Sequence, residues 1–294
     1  MKIDKRGLTA YHFIRRQIFQ HARILKPRIA MTLVTRNEGD LLGQFLKYHK
    51  SIGLEYISII DNGSTDNTEE ISLQFRNDGF VRDYIKIAGP YDQVRFVNYL
   101  NEIIKGRGDA DWVINSDTDE FWIPTKSSIQ DIFSERTENV LRVQSYNFLP
   151  VQEGIFYRTP YKVLKYDASK LNTIFSPNLP KVAYRVNDFQ EIFEGNHGVK
   201  VHNKSLLDTE ELEIFHFPIR SEKQLRSKYE ALLRRTDKNF PAHVKAFGEK
   251  ISKGFSYEDM FALSFPDQEK IATLLNNKTV VEDTRLIQVI DNVG

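Results

Sequence analysis

The chain contains no cysteine, which excludes disulfides and thiolate metal sites and leaves carboxylate, carbonyl and imidazole groups to hold any metal. It has almost no net charge: 41 Lys and Arg stand against 40 Asp and Glu, so the basic excess of a nucleic-acid binder is missing. No apolar run reaches the roughly 18 residues that a membrane-spanning helix needs, and the amino-terminal stretch lacks the apolar centre of a signal peptide. Internal repeats and low-complexity tracts are absent as well. What is present is an ordinary globular composition, 40% hydrophobic and 28% charged over 294 residues. That length suffices for one large domain or two smaller ones, and the composition leads us to expect a cytoplasmic protein.

The most informative stretch is acidic. Trp112, Val113 and Ile114 form a short apolar run with the character of a buried strand, and Asp117, Asp119 and Glu120 follow at once, then Phe121 and Trp122. Carboxylates two residues apart at a strand end converge and repel, and burying one unpaired costs several kcal/mol. A hard divalent cation, Mn²⁺ or Mg²⁺, removes that conflict. The same spacing also fits a solvated acidic turn.

Residues 1–27 are basic, with Leu8, Tyr11, Ile14, Ile18, Ala22 and Leu25 at helical spacing. Such a helix either lies on an anionic membrane surface or packs on the domain with its charges solvated. Pro27 ends it. Ile29–Thr35 reads as a strand buried on both faces. Arg36–Gly39 reads as a turn, and Leu41, Leu42, Phe45, Leu46 and His49 as the stripe of a helix. A second strand runs to Ile60 and into Asp61-Asn62-Gly63-Ser64-Thr65-Asp66, with Asp66 and Glu69 spaced as a capping box. A third strand is expected near Phe80–Ile87, and Val94, Val97, Leu100 and Ile104 stripe another helix. Strands alternating with helices predict a mostly parallel sheet with ligands beyond its carboxyl edge.

Several short motifs occur in order: Thr35-Arg36-Asn37-Glu38, the Asp61–Asp66 turn, Asp117-Thr118-Asp119-Glu120-Phe121, Gly195-Asn196-His197, and His216-Phe217-Pro218-Ile219-Arg220-Ser221. The series resembles the family 2-type glycosyltransferases, in particular a bacterial subgroup, over roughly residues 28–235. The resemblance implies an α/β chain of GT-A (Rossmann-like) fold, a mixed, mostly parallel sheet flanked by helices. We expect residues 1–27 as the basic segment, 28–218 as the catalytic domain and 219–294 as a helical extension packed on it.

By the same resemblance, Thr35, Asn37, Glu38 and Asp61 hold the nucleoside of a sugar nucleotide, with a UDP-sugar expected. Asp117 and Asp119 bind the cation and the sugar diphosphate, and His216 adds a metal ligand or else bonds a nearby carbonyl. The transfer would be inverting, to a hydroxyl of a glycan or lipid-linked acceptor, in cell-surface polysaccharide or glycan synthesis.

One departure is the Glu-Asp pair that supplies the general base in many relatives, which has no evident counterpart here. Glu191, Glu194 and His197, clustered around Gly195, are the candidates for that role, with a carboxylate expected as the base and His197 expected to orient it or bind the acceptor. Arg220 and Lys228, at the start of a helix opened by Ser221 and Gln224, suit a diphosphate. Among the aromatics, Trp122 is the one expected to face a sugar, and the others to be core. The competing readings are a non-catalytic nucleotide-sugar-binding or scaffold protein and a nucleotidyltransferase. The latter normally shows a glycine-rich basic loop after the first strand, which Thr35–Gly39 is not.

Overall fold

The computed structural model describes residues 26–125, 128–150, 155–165, 177–233 and 242–293. The basic segment through residue 25 therefore lies outside the described residues, and among the described ones no helix is long and apolar enough to cross a membrane.

Strands and helices alternate at first, in the order β1 (Ile29–Thr35), α1 (Leu42–Ser51), β2 (Tyr56–Asp61), α2 (Thr68–Asn77), β3 (Val81–Lys86), α3 (Gln93–Arg107) and β4 (Trp112–Ser116). The next elements are β5 (Glu120–Pro124), α4 (Ile129–Ser134), β6 (Val140–Asn147), β7 (Tyr161–Val163), β8 (Lys181–Arg185), β9 (Phe189–Ile192), β10 (Val199–Val201) and β11 (Leu206–His216). Closing the chain are α5 (Glu222–Leu233), α6 (Ala242–Ser252), α7 (Tyr257–Ala262), α8 (Gln268–Asn276), β12 (Val280–Glu282) and α9 (Arg285–Val293).

The sheet has eight strands in the order β3-β2-β1-β4-β8-β6-β11-β5. It is mixed and mostly parallel, with helices against it. β3, β2, β1 and β4 run parallel, as the crossover helices require. β8 then enters antiparallel to both β4 and β6. Two reversals restore the direction, so β6, and β11 parallel to it, point the same way as β1. The edge strand β5 runs antiparallel to β11. The carboxyl ends of β1, β2, β4, β6 and β11 therefore share one edge with the amino ends of β8 and β5. That edge collects Thr35, Asp61, Asp117, Asn147, His216, Lys181 and Glu120.

The buried character of the central strands explains their near-continuous apolar runs. All residues of β2 and β4 are buried, and the alternation along β1 sends Ile29, Met31 and Leu33 to one core and Ala30 to the other. The stripe on α1 packs as its spacing predicts, with Leu42, Phe45, Leu46 and His49 fully buried. His49 is a structural histidine. Its Nδ1 faces the Phe45 carbonyl at 2.9 Å, and Trp122 N–H donates to its Nε2 at 3.3 Å. Burial pushes it down to about 3, so it stays neutral. The C-terminal residues are knit into the same body: β12 pairs with β7, and Leu286 and Ile290 of α9 join the main core.

Two expectations fail here. Trp122 is fully buried and its indole N–H donates to Ser116 Oγ at 3.1 Å, so it is core and not a sugar platform. β5 is buried on both faces, so Trp122 is enclosed on one while Phe121 packs against α1 on the other. The Asp66–Glu69 capping box does not form either. The helix starts at Thr68, Glu69 turns outward to Lys86, and Asp66 instead accepts from Thr68 N–H, Thr68 Oγ1 and Gly39 N–H. The Ser221–Gln224 pair forms half a box: Gln224 N–H donates to Ser221 Oγ at 3.1 Å, while the Gln224 side chain accepts from Arg220 N–H.

A buried polar network locks α3 to the sheet centre. Thr32 Oγ1 donates to Asn115 Oδ1 (2.6 Å), Asn115 Nδ2 to Tyr184 OH (3.0 Å), and Tyr184 OH to Asn101 Oδ1 (2.7 Å). Apart from the Asn101 Nδ2 bond to the Val97 carbonyl, the members satisfy one another, so loss of the middle one strands several buried groups. Asn115→Ala is expected to lower the unfolding free energy by about 3 kcal/mol in urea denaturation, whereas an exposed substitution such as Glu102→Ala leaves it nearly unchanged.

Candidate active site

The first two loops at the carboxyl edge are zipped together. Asn37 takes the left-handed conformation (φ 54), which an Asn tolerates best after Gly. Its N–H donates to Ser64 Oγ at 2.9 Å and its Oδ1 accepts from Thr65 N–H at 2.8 Å. Glu38 N–H donates to Thr68 Oγ1 at 2.9 Å. A Cβ at Gly39 would come within 1.9 Å of Asn67 Oδ1, so that side chain would have to move aside. Asp61 is wholly buried at the base of this wall. Its Oδ1 accepts from Ser64 N–H at 2.7 Å and its Oδ2 from Tyr84 OH at 2.5 Å. Thr35 Oγ1 is buried nearby without a hydrogen-bond partner among the described residues.

The acidic segment leaves β4 and turns into β5, with Asp117 and Glu120 facing Lys181 and Asp119 facing His216. Lys181, the first residue of β8, reaches Asp117 Oδ2 at 2.7 Å and Glu120 Oε1 at 3.1 Å, and its side chain is only 5% exposed. Gln93 Nε2 donates to Asp117 Oδ1 at 3.2 Å, and Asp117 N–H to Glu120 Oε2 at 3.2 Å. Burial works to lower the Lys181 ammonium, but Asp117 and Glu120 together hold it above its ordinary value. Burial pushes the Glu120 carboxyl up against the pull of Lys181.

Asp119 looks elsewhere. Its Oδ2 lies 3.5 Å from His216 Nε2, and His216 Nδ1 is 2.7 Å from Asn147 Oδ1. The strand register explains the meeting, because His216 lies opposite Glu120 on one side and Asn147 on the other. Burial alone would raise the Asp119 carboxyl, but His216, Lys228 and Arg220 hold it well below the usual carboxylate range. Arg220 is buried, paired with Glu38 and 3.5 Å from Asp40, and none of its side-chain nitrogens makes a well-directed hydrogen bond among the described residues. Burial pushes Glu38 up to about 7, against the pull of Arg220.

The Gly-Asn-His loop comes to the same place. Gly195 N–H donates to Gln93 Oε1 at 3.1 Å, so Gln93 ties this loop to Asp117. Gly195 has φ 73, and a Cβ on it would strike the His197 ring at 2.5 Å. His197 Nδ1 is 2.8 Å from the Pro180 carbonyl, which leaves Nε2 as its basic nitrogen. Desolvation by the loop, and then the Lys181 charge, hold this exposed-edge imidazole below its ordinary value. Glu191 projects from β9 opposite Lys200 and is exposed, as is Glu194.

The residues predicted from sequence thus mostly gather at one edge. Thr35, Asn37, Glu38 and Asp61 form one wall. Asp119, His216, Arg220 and Lys228 form a second group, and His197 the third. Asp117 departs from the metal expectation: it is bound to Lys181, and among the described residues no three His, Asp or Glu side chains gather closely enough to hold a metal. Lys181, Gln93 and Asn147 meet the candidate site residues and escaped the sequence reading, and Glu120, read only as part of the acidic stretch, joins them. Only the start of a strand after Pro180 marked Lys181, and nothing marked its reach.

A pH dependence follows from Glu38. Its carboxyl rises from the ordinary 4.5 to about 7 on folding, so between those values the native state holds a proton that the unfolded state has released. Stability from this group therefore falls as pH rises through that window. Unfolding free energies measured across pH 4.5 to 7 are expected to fall less steeply in Glu38→Gln than in the wild type.

No protein-family model matches the chain. Over 121 residues it is 29% identical to a glycosyltransferase family 92 protein of Ricinus communis, covering 39% of this chain and 22% of that protein. The chain thus spans about a fifth of the length of that curated relative. Among solved structures it is similar to S. aureus TarS 1–349 in complex with UDP-GlcNAc, at 16% identity and a TM-score of 0.42, covering 90% of this chain and 82% of that one. It is also similar to the mannosyltransferase PcManGT from Pyrobaculum calidifontis in complex with GDP-Man and Mn²⁺, at 11% identity and a TM-score of 0.40, covering 98% and 84%.

Proposed function

We propose that the chain is a metal-dependent glycosyltransferase of GT-A fold that moves a sugar from a nucleotide-sugar donor to an acceptor hydroxyl with inversion. The observation that carries this reading is the gathering of the Asp61 wall, the Asp119–His216 pair and the His197 loop at one carboxyl edge of the sheet, where open α/β sheets bind ligands. The competing nucleotidyltransferase reading gains no support from the Asn37–Gly39 turn, whose backbone N–H groups are spent on Ser64, Thr68 and Asp66.

The residues present fit a divalent cation. Two ligands on one cation at about 2.1 Å each stand roughly 3–3.5 Å apart, and Asp119 Oδ2 and His216 Nε2 are 3.5 Å apart. The Asn147 contact at His216 Nδ1 is the outer-shell support that metal-bound histidines characteristically have. Asp119 and His216 would hold the cation, and when bound it stabilises charge on the departing nucleoside diphosphate.

The chain's own residues do the rest. Asp61 and the loop of Asn37 and Glu38 receive the nucleoside, with the unpartnered Thr35 hydroxyl as a further donor to it. Arg220 and Lys228 attract the diphosphate, Arg220 by exchanging its imperfect pairing with Glu38 for phosphate oxygens. Neutral His197 accepts the acceptor hydroxyl's proton at Nε2. Its ring is held at Nδ1 by the Pro180 carbonyl, one residue before Lys181, and its loop is tied through Gly195 and Gln93 to Asp117, whereas Glu191 lies out on β9. The acceptor is taken as a glycan or lipid-linked hydroxyl at the inner face of a membrane, with residues 1–27 as the segment that would contact it.

Sugar-nucleotide hydrolysis with and without Mn²⁺ tests the reading. Asp119→Asn and His216→Ala are expected to lose the Mn²⁺ response, and Asp61→Ala to weaken nucleoside diphosphate binding even at saturating metal. Metal-dependent turnover that survives in Asp119→Asn would refute the assignment. In transfer assays His197→Gln is expected to lower kcat by about 10² or more with donor binding intact. Glu191→Gln and Glu194→Gln should turn over at near wild-type rates. If one of the glutamates carries the loss instead, it is the base.

A further inference from the structure

All four oxygens of Asp117 and Glu120 are already engaged within the chain. Lys181 takes one from each, Gln93 Nε2 a third, and Asp117 N–H the fourth. We propose that Lys181 is a built-in counter-cation that withdraws Asp117 and Glu120 from the metal's ligand set, so that this site holds a divalent cation only together with a nucleoside diphosphate. The proposal rests on the donor reading above for its nucleotide half. Its other half concerns only the chain and the metal.

With Asp117 and Glu120 occupied, Asp119 and His216 are what remains to face a cation, and among the described residues no group of three ligands exists. Hard cations such as Mg²⁺ and Mn²⁺ want about six oxygen or nitrogen ligands, and two protein groups leave most of that shell to water. Diphosphate oxygens supply further anionic ligands and raise the affinity. Release of Asp117 to complete the shell is opposed by the position of Lys181. As the first residue of β8, held between β4 and β6, it cannot withdraw without leaving a buried carboxylate unpaired. A lysine that served only to stabilise the fold and one that sets the ligand count predict opposite signs when it is removed. Loss of a merely structural bridge weakens metal binding or leaves it alone, whereas loss of a competitor strengthens it.

The experiment is a titration of the full chain with Mn²⁺, reading free metal by electron paramagnetic resonance, without nucleotide and with saturating UDP after correction for Mn²⁺ bound to UDP in buffer. Wild type should bind Mn²⁺ at least tenfold more tightly with UDP present. The double variant Lys181→Met with Glu120→Gln removes the ammonium and the buried carboxylate that most needs it, releasing Asp117 Oδ2. It should bind Mn²⁺ alone about tenfold more tightly than wild type, and the effect of UDP should shrink. Lys181→Arg keeps a counter-charge and should stay within about twofold of wild type for the metal alone. Equal wild-type affinities with and without UDP would overturn the proposal without recourse to any variant. A double variant that folds, by circular dichroism, but binds Mn²⁺ alone no better than wild type would overturn it as well. If UDP does not bind at all, the donor reading fails, while the nucleotide-free comparison still decides what Lys181 does.

Discussion

Asp117, Asp119 and Glu120 leave β4 almost together, and none of them can sit at the edge of a buried sheet without a compensating charge. The structure divides the problem. Asp117 and Glu120 share the ammonium of Lys181, and Asp119 is held ionised by His216, Arg220 and Lys228. Much else at this edge follows from that division. β8 must run antiparallel to bring its first residue here, and β11 must end here to deliver His216 and then Arg220. The Gly-Asn-His loop is drawn in through Gln93 because that side chain already serves Asp117.

The Glu38–Arg220 pair is the second electrostatic feature. It joins the loop after β1 to the segment after β11, so both flanks of the edge are coupled through one buried guanidinium. The pairing is close but poorly directed: among the described residues none of the guanidinium nitrogens finds a well-placed acceptor. The carboxyl of Glu38, pushed up to about 7, is correspondingly easy to protonate when Arg220 turns elsewhere.

Much of the first half of the fold was legible in the sequence. The apolar runs of β1, β2 and β4, the stripe on α1 and the polar turns after the strands are local signals, and they carried through to Thr35, Asn37, Asp61 and Asp119. The errors were of another kind. Trp122 was expected to face a sugar, yet it and Phe121, on opposite faces of β5, are both wholly buried. Asp66 read as a helix cap, yet it serves the neighbouring loop through Gly39. In both cases a tertiary partner overrode the nearest sequence cue.

By itself the sequence determined where strands and helices alternate and which turns face the carboxyl edge, because periodicity and turn chemistry act over a few residues. It also determined that any metal must be held by oxygen and nitrogen, since there is no thiol to use. Only the tertiary structure decided which charge answers which. Lys181 meets Asp117 across 64 positions of chain, and Asn147 meets His216 across 69. Those meetings depend on β8 entering between β4 and β6 in reverse and on the register of β5, β6 and β11. Strand order and register are set by the packing of the whole sheet, and no short stretch of the chain encodes them.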